Sequence, residues 1–109
     1  VENAPGTLAI EAPSIERTYE PFDMLASALG VCTHAVLSSW AKQSKTDASA
    51  LVVYVEWTVD DYRMNTLDVS FHWPGLPEAR TAAAHRAASL CSIHRALTEP
   101  PVVTIRQAG

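Results

Sequence analysis

The chain has little of several features that would point to a particular class of protein. It has 8 Lys and Arg against 12 Asp and Glu, and no segment concentrates the basic residues. A surface that follows nucleic-acid phosphates is therefore not expected. No run approaches the roughly 20 apolar residues of a membrane span, because Asp23, His34 and Ser38 interrupt the best candidate. We expect a soluble protein with neither a nucleic acid nor a membrane as partner.

Cysteine is also scarce, with two residues, Cys32 and Cys91. The sequence begins at Val1 rather than Met, which allows for residues processed, trimmed or left out upstream. Two cysteines without a signal peptide suggest a reducing compartment, and we expect a cytoplasmic protein. Two thiols there usually mean thiol chemistry or a metal site, and the alternative is a pair of inert buried thiols. The length favours a single domain over residues 1–109, with self-association adding to a small core.

The first long element predicted is a helix. Pro21 suits its first helical position, Asp23 complements the helix dipole in the first turn, and the pattern runs to about Ser44. Few charges occur before Lys42, which predicts a buried central helix. Gly30 indicates close approach of another element, and we expect a second helix to cross there.

The remaining elements alternate between strand and helix patterns. A weak alternation predicts a strand over residues 7–11, followed by a loop to residue 20. Residues 51–60 and 67–73 predict an antiparallel hairpin, with the segment DDYRMN (residues 60–65) as the turn. A second helix is expected over residues 78–91 with a further turn after it, and residues 102–106 predict a final strand. The order indicates an α+β fold.

Two motifs carry a resemblance to a known family. The run PFDMLASALGVCTHAVLSSWA resembles the central-helix motif of the OsmC/Ohr family, and CSIHRAL is similar to its second cysteine motif. The cysteine spacing also fits, and the resemblance covers nearly the whole chain from Gly6 onward. It implies an OsmC-like fold: a long central helix with an antiparallel sheet, assembled as an intertwined homodimer.

The resemblance further implies a thiol-dependent peroxidase acting on organic hydroperoxides. Cys32 would attack the peroxide and Cys91 would resolve the sulfenic acid as a disulfide, which an external dithiol reduces. No cofactor is implied. Leu25, Leu29 and Trp40 are expected to wall an apolar substrate pocket.

The sequence departs from the family pattern around the first cysteine. Phe22 follows Pro21 where the family has a glutamate, and the matching arginine would fall upstream of Gly6, where the sequence reads VENAP. An N-terminal strand is therefore expected to lie upstream or to be missing from the protein. The candidates for the supporting role are Arg17, Glu20 and Arg95.

Two further consequences follow from these departures. Without a neighbouring cation, burial is expected to raise the pKa of Cys32. Ser92 also stands where the family usually has proline, directly after the second cysteine.

Two alternatives from other classes remain open at the level of sequence. One is a metal site made from Cys32, His34, Cys91 and His94, although the first two are two apart on a helix and point about 200° away from each other. The other is a non-catalytic OsmC-like scaffold that binds a small ligand, with Cys32 as a passive lining residue.

Overall fold

A computed structural model describes residues 21–108. In chain order the elements are helix α1 (Pro21–Gln43), strand β1 (Val52–Asp60), strand β2 (Arg63–His72), a 3-10 turn (Glu78–Arg80), helix α2 (Thr81–Ala88) and helix α3 (Ser92–Thr98). Helix α1 packs against β1, α2 and α3. This arrangement confirms the α+β class. The strand predicted over residues 7–11, together with Arg17 and Glu20, lies outside the described residues.

Helix α1 is present from Pro21, the first described residue, with Asp23 in its first turn and Lys42 in its last. A smaller part of its surface is buried than its apolar composition suggested. Every third or fourth residue faces the interior, forming one buried stripe: Ala26, Leu29, Thr33, Leu37 and Ala41. On the outer side Met24 is 54% exposed and Val31 is 70% exposed. In the described part of the chain α1 is therefore covered on one side rather than enclosed.

The close approach at Gly30 involves a strand and not a second helix. A Cβ atom built on Gly30 would lie 3.2 Å from Cγ2 of Val55 on β1. The expectation that a helix crosses here was wrong. A β-branched side chain on the inner face of the sheet occupies the space that the glycine leaves open.

Strands β1 and β2 form the predicted antiparallel hairpin, but its turn is shorter than expected. Asp60 pairs with Arg63, so Asp61 and Tyr62 alone make the turn, both with positive φ (51° and 61°). Such a two-residue turn matches the twist of the strands it joins. The polar residues after it belong to β2 because an exposed hairpin arm needs no apolar pattern. A bulge next to Thr58 shifts the register near the turn.

A small core closes the C-terminal half of α1. It contains Leu37, Ala41, Leu51, Trp73, Ala84 and Ala87. The Trp73 indole donates a hydrogen bond to the Asp47 carbonyl (2.8 Å) and meets Trp40 edge to face, with ring centroids 5.8 Å apart. This core holds α2 against α1 and so places the chain that follows α2.

The segment predicted as one helix through Cys91 is two helices. Helix α2 stops at Ala88, and the amides of Leu90 and Cys91 donate to carbonyls three residues back. Cys91 then takes an extended ψ of 130° and precedes α3. The chain therefore turns at the second cysteine, and seven residues of helix follow.

The final predicted strand is not formed among the described residues. Residues 101–108 have no assigned secondary structure, and Val102 and Ile105 are 93% and 98% exposed. A β-prone sequence needs a partner strand to satisfy its backbone, and none of residues 21–100 offers one here.

Length and composition would allow α1 to cross a membrane. The core helix of a soluble protein meets the same criterion, and α1 packs one face on the sheet and on α2. We therefore read α1 as a core helix.

Candidate functional site

The structure brings the two cysteines together. Cys32 lies half-buried in the middle of α1, and Cys91 is fully buried at the bend before α3. Both are free thiols, and their sulfurs are within hydrogen-bonding reach of each other. A separation of 59 residues in sequence thus becomes a direct contact. The α2–α3 bend makes it, because it turns Cys91 back toward α1.

The same bend aims backbone donors at the first cysteine. The N–H groups of Ser92 and Ile93, the first two residues of α3, donate to the Cys32 sulfur. Amides in the first turn of a helix have no carbonyl partner within that helix, so they are free to do this. Cys32 therefore faces three donors: two backbone amides and the Cys91 thiol.

These donors decide the ionisation of Cys32. Burial is the largest single influence and raises its pKa, but the hydrogen bonds from the Cys91 thiol and from the Ile93 and Ser92 amides together outweigh it. The net result is a Cys32 pKa below the ordinary thiol value. The expectation of a raised pKa was wrong, because it counted burial and the missing cation but not donors from a distant part of the chain.

The pKa of Cys91 shifts in the opposite direction to that of Cys32. Burial raises its pKa, and the hydrogen bond with Cys32 raises it further, because sharing its proton keeps Cys91 in the thiol form. The His94 and Ile93 amides act against this and do not reverse it. The pair is therefore asymmetric: Cys32 loses its proton more readily than Cys91, and Cys91 is the one that donates.

Cys32 opens into a groove between α1 and the α2–α3 bend. We call it the thiol groove; it is about 450 Å³ and is lined by Cys32, Ala35, Val36, Ser39, Trp40, Gln43, Ala87, Leu90 and Ser92. Of the pocket walls expected from sequence, Trp40 lies here. Leu29 lines a different cavity, and Leu25 is not among the lining residues. None of the lining side chains carries a formal charge besides the thiol itself.

The structure gives no support to Arg95 as the activating cation. Its guanidinium pairs with Glu99 four residues on, at 3.1 Å, and both side chains are about two-thirds exposed. Arg95 is not among the groups that shift the pKa of either cysteine. The amides of Ser92 and Ile93 occupy the role for which sequence reasoning sought a cation. The one sequence signal for them was Ser92, since a proline there would have no N–H.

The four-ligand metal site is not assembled in the described part of the chain. Across residues 21–108 no three His, Cys, Asp or Glu side chains lie close enough together to hold a metal ion. His34 is exposed and its Nδ1 lies 3.3 Å from the Ser38 hydroxyl. His94 contributes its backbone N–H to Cys91, not its ring.

A comparison with known families agrees with the two cysteine motifs. A profile described as "OsmC-like protein" matches residues 15–106, which is 92 of the 109 residues and includes both cysteines. No curated protein and no solved structure gave a significant match. The profile covers every described helix and strand, and on that match the chain belongs to the OsmC-like protein family.

Proposed function

We propose that the chain is a thiol-dependent peroxidase that reduces organic hydroperoxides in the cytoplasm. The observation that carries the proposal is the asymmetry of the two adjacent thiols. A peroxidatic cysteine must be a thiolate to attack, whereas a resolving cysteine must stay close and protonated until the first has been oxidised. Cys32 and Cys91 differ in this direction.

The reaction proceeds in two balanced steps. The Cys32 thiolate attacks one peroxide oxygen, so an S–O bond forms, the O–O bond breaks, and the leaving alkoxide takes a proton to become an alcohol. Cys91 then loses its proton and attacks the sulfenic sulfur of Cys32. An S–S bond forms, the S–O bond breaks, and hydroxide leaves as water. An external dithiol supplies two electrons and two protons to restore both thiols.

The amides beside Cys32 support the first step. Ser92 and Ile93 donate to its sulfur and so stabilise the thiolate before attack. Sulfur itself changes oxidation state, so the reaction calls for no bound cofactor or metal.

The thiol groove supports an organic rather than an inorganic peroxide. Its walls near Cys32 are mainly hydrocarbon, including Val36, Trp40 and Leu90. An alkyl or aryl substituent would bury apolar surface here, whereas hydrogen peroxide would gain nothing from these walls. Substrates with a bulky apolar group should therefore have the higher kcat/KM.

A free-thiol count tests the proposal directly. The reduced protein is treated with one equivalent of an alkyl hydroperoxide, and Cys32→Ser and Cys91→Ser are run in parallel. The wild type should lose both thiols rapidly, Cys91→Ser should stop at a sulfenic acid that a dimedone probe traps, and Cys32→Ser should not react. Survival of both wild-type thiols would leave a small-ligand-binding scaffold as the better description, since the groove would remain without the chemistry.

We also propose that the protein works as a homodimer built on the outer face of α1. Met24 and Val31 lie seven residues apart, which places them on one side of the helix, and both are more than half exposed. A second copy is the partner that would cover them. Val31→Asp should shift the protein to monomer in sedimentation at micromolar concentration, while Val102→Asp, a matched change in the exposed C-terminal segment, should not. A wild-type monomer would refute this assembly.

A further inference from the structure

A second cavity lies on a different side of α1 from the thiol groove. It is about 330 Å³ and is walled by four elements: α1, β2, α2 and α3. We call it the rear cavity. Its apolar lining comes mainly from Leu29 on α1, Leu67 and Val69 on β2, and Leu97 on α3. Neither cysteine lines it, so it is separate from the site described above.

The rear cavity is a cleft that is partly open to solvent, and its size can be compared with that of known ligand pockets. Pockets for small ligands begin at roughly 300 Å³. The rear cavity reaches that range, and its walls come from elements that are otherwise packed together through α1.

The side chains that line the rear cavity limit which kinds of ligand it can bind. Among the described residues that line the cavity there is no Asp, Glu, Lys or Arg, so a charged ligand would lose its hydration without gaining a partner. The polar groups present are hydroxyls and imidazoles, among them Thr33, which is 3% exposed, and His94. A neutral molecule with one hydrogen-bonding group matches this lining.

His94 supplies a second, independent observation. Its Nδ1 is buried and has no hydrogen-bond partner among the described residues. A buried polar atom without a partner is unfavourable and is uncommon in native structures. His94 lines the rear cavity, so a ligand bound there would contact its ring. A hydroxyl can donate or accept, so it would pair with either tautomer of the ring.

We propose that the rear cavity is a binding site for a small, neutral, largely apolar alcohol, whose hydroxyl pairs with the His94 ring. The site does not depend on the peroxidase proposal, because it contains neither thiol. The cavity is partly open to solvent, so a small molecule can enter it while the four elements stay in place.

Benzyl alcohol and toluene form a matched pair of probes for this site. They share an aromatic ring, and benzyl alcohol alone has a hydroxyl. In a methyl NMR titration of the full reduced chain, the ring current should shift the methyl signals of Leu67, Val69 and Leu97 in a saturable way. Leu90, in the thiol groove, should not shift at the same concentration.

Three variants sharpen the test. Thr98→Trp places a bulky group at the exposed rim of the rear cavity and should abolish the shifts, while Ser39→Trp, the matched change in the thiol groove, should leave them intact. His94→Phe should weaken benzyl alcohol roughly two- to tenfold, the net worth of one hydrogen bond, and leave toluene unchanged.

Two results would overturn the proposal. One is the absence of saturable methyl shifts in the wild type, which needs no variant to interpret. The other is loss of both probes to the same extent in His94→Phe, which would show that the ring does not recognise the hydroxyl. Because the readout uses no peroxide, a failed thiol reaction leaves this result unaffected.

Discussion

The two halves of α1 have similar composition but very different surroundings. In the C-terminal half, Leu37 and Ala41 are almost completely buried. In the N-terminal half Ala26 and Leu29 are buried too, but Met24 and Val31 on the other side of the helix are mostly exposed. Apolar sequence therefore does not decide which large side chains of α1 are covered. Cys32 lies between the two halves, next to a packed core on one side and an uncovered surface on the other.

The two halves of α1 differ in the residues that pack around them. Beyond the end of α1 the Arg80 guanidinium donates to the Ser44 carbonyl (2.7 Å) and to the Thr46 hydroxyl (3.1 Å). The Trp73 indole reaches the Asp47 carbonyl. These contacts tie the loop after α1 to the elements that follow the hairpin. The C-terminal half thus carries the stability of the described chain, and the N-terminal half is left for function or assembly.

The largest test of this difference is Trp73→Ala. It removes a side chain that is 7% exposed, two edge-to-face ring contacts and one hydrogen bond. The free energy of unfolding should fall by about 3–5 kcal/mol in urea denaturation. Trp57→Ala is the matched control, because Trp57 is only half-buried beside the N-terminal half of α1. Equal losses from the two variants would mean that the halves are equally packed.

Gly75→Ala tests the same packed end with the smallest change in side chain. A Cβ atom at this position would lie 2.8 Å from the Asp47 carbonyl oxygen. That oxygen already accepts the Trp73 hydrogen bond, so it cannot move away without weakening the bond. We expect a loss of about 1–3 kcal/mol, typical of overpacking, measured by urea denaturation. A neutral result would show that the loop at Asp47 is loosely held.

Much of the fold could be predicted because local rules determine it. Lys42 marks the C-terminal end of α1 through helix chemistry, and the alternation in β1 predicts a strand with one inner face. Prediction failed where the structure of a segment depends on contacts with another segment. Residues 102–106 have strand-forming side chains but lack a paired edge among the described residues. The length of the turn at Asp61 and Tyr62 was overestimated, because the polar residues after it were taken to belong to a loop.

The candidate site also has features that local sequence predicts and features that distant contacts determine. Both cysteines could be found from their motifs, but the groups that set their ionisation could not. The Ser92 and Ile93 amides reach Cys32 because the chain bends at Cys91, and the sequence signals them only through the absence of a proline at position 92. A search for a charged partner therefore selected Arg95, which pairs with Glu99 instead.

Ser92→Pro tests the amide at the border between the two halves. Proline is well accepted at the first position of a helix, so the change should remove the N–H with little effect on the fold. Because that N–H stabilises the thiolate, its loss should raise the pKa of Cys32. In the Cys91→Ser background, iodoacetamide alkylation at neutral pH should slow by roughly fivefold, equivalent to a hydrogen bond worth about 1 kcal/mol.

Ser92→Ala provides the control for this experiment. It removes the hydroxyl and keeps the amide, so its alkylation rate and the pH midpoint should match those of the Cys91→Ser parent. In that parent the rate should level off at a lower pH than for an ordinary thiol if the Ser92 and Ile93 amides, together with the new hydroxyl at position 91, outweigh burial. If Ser92→Pro leaves the midpoint unchanged, the backbone donors do not activate Cys32.

Gly30→Ala should have the smallest effect, because it lies in the half of α1 that is less tightly packed. Replacing a glycine inside a helix gains about 0.5–1 kcal/mol, whereas the new Cβ would lie 3.2 Å from Cγ2 of Val55. Val55 is half-buried and can shift by a few tenths of an ångström, so the two effects should nearly cancel in urea denaturation. Adding Val55→Ala removes the contact and should leave no steric penalty for the alanine at position 30. If Gly30→Ala were as destabilising as Gly75→Ala, the N-terminal half would be as rigidly packed as the C-terminal half, and the contrast between them would fail.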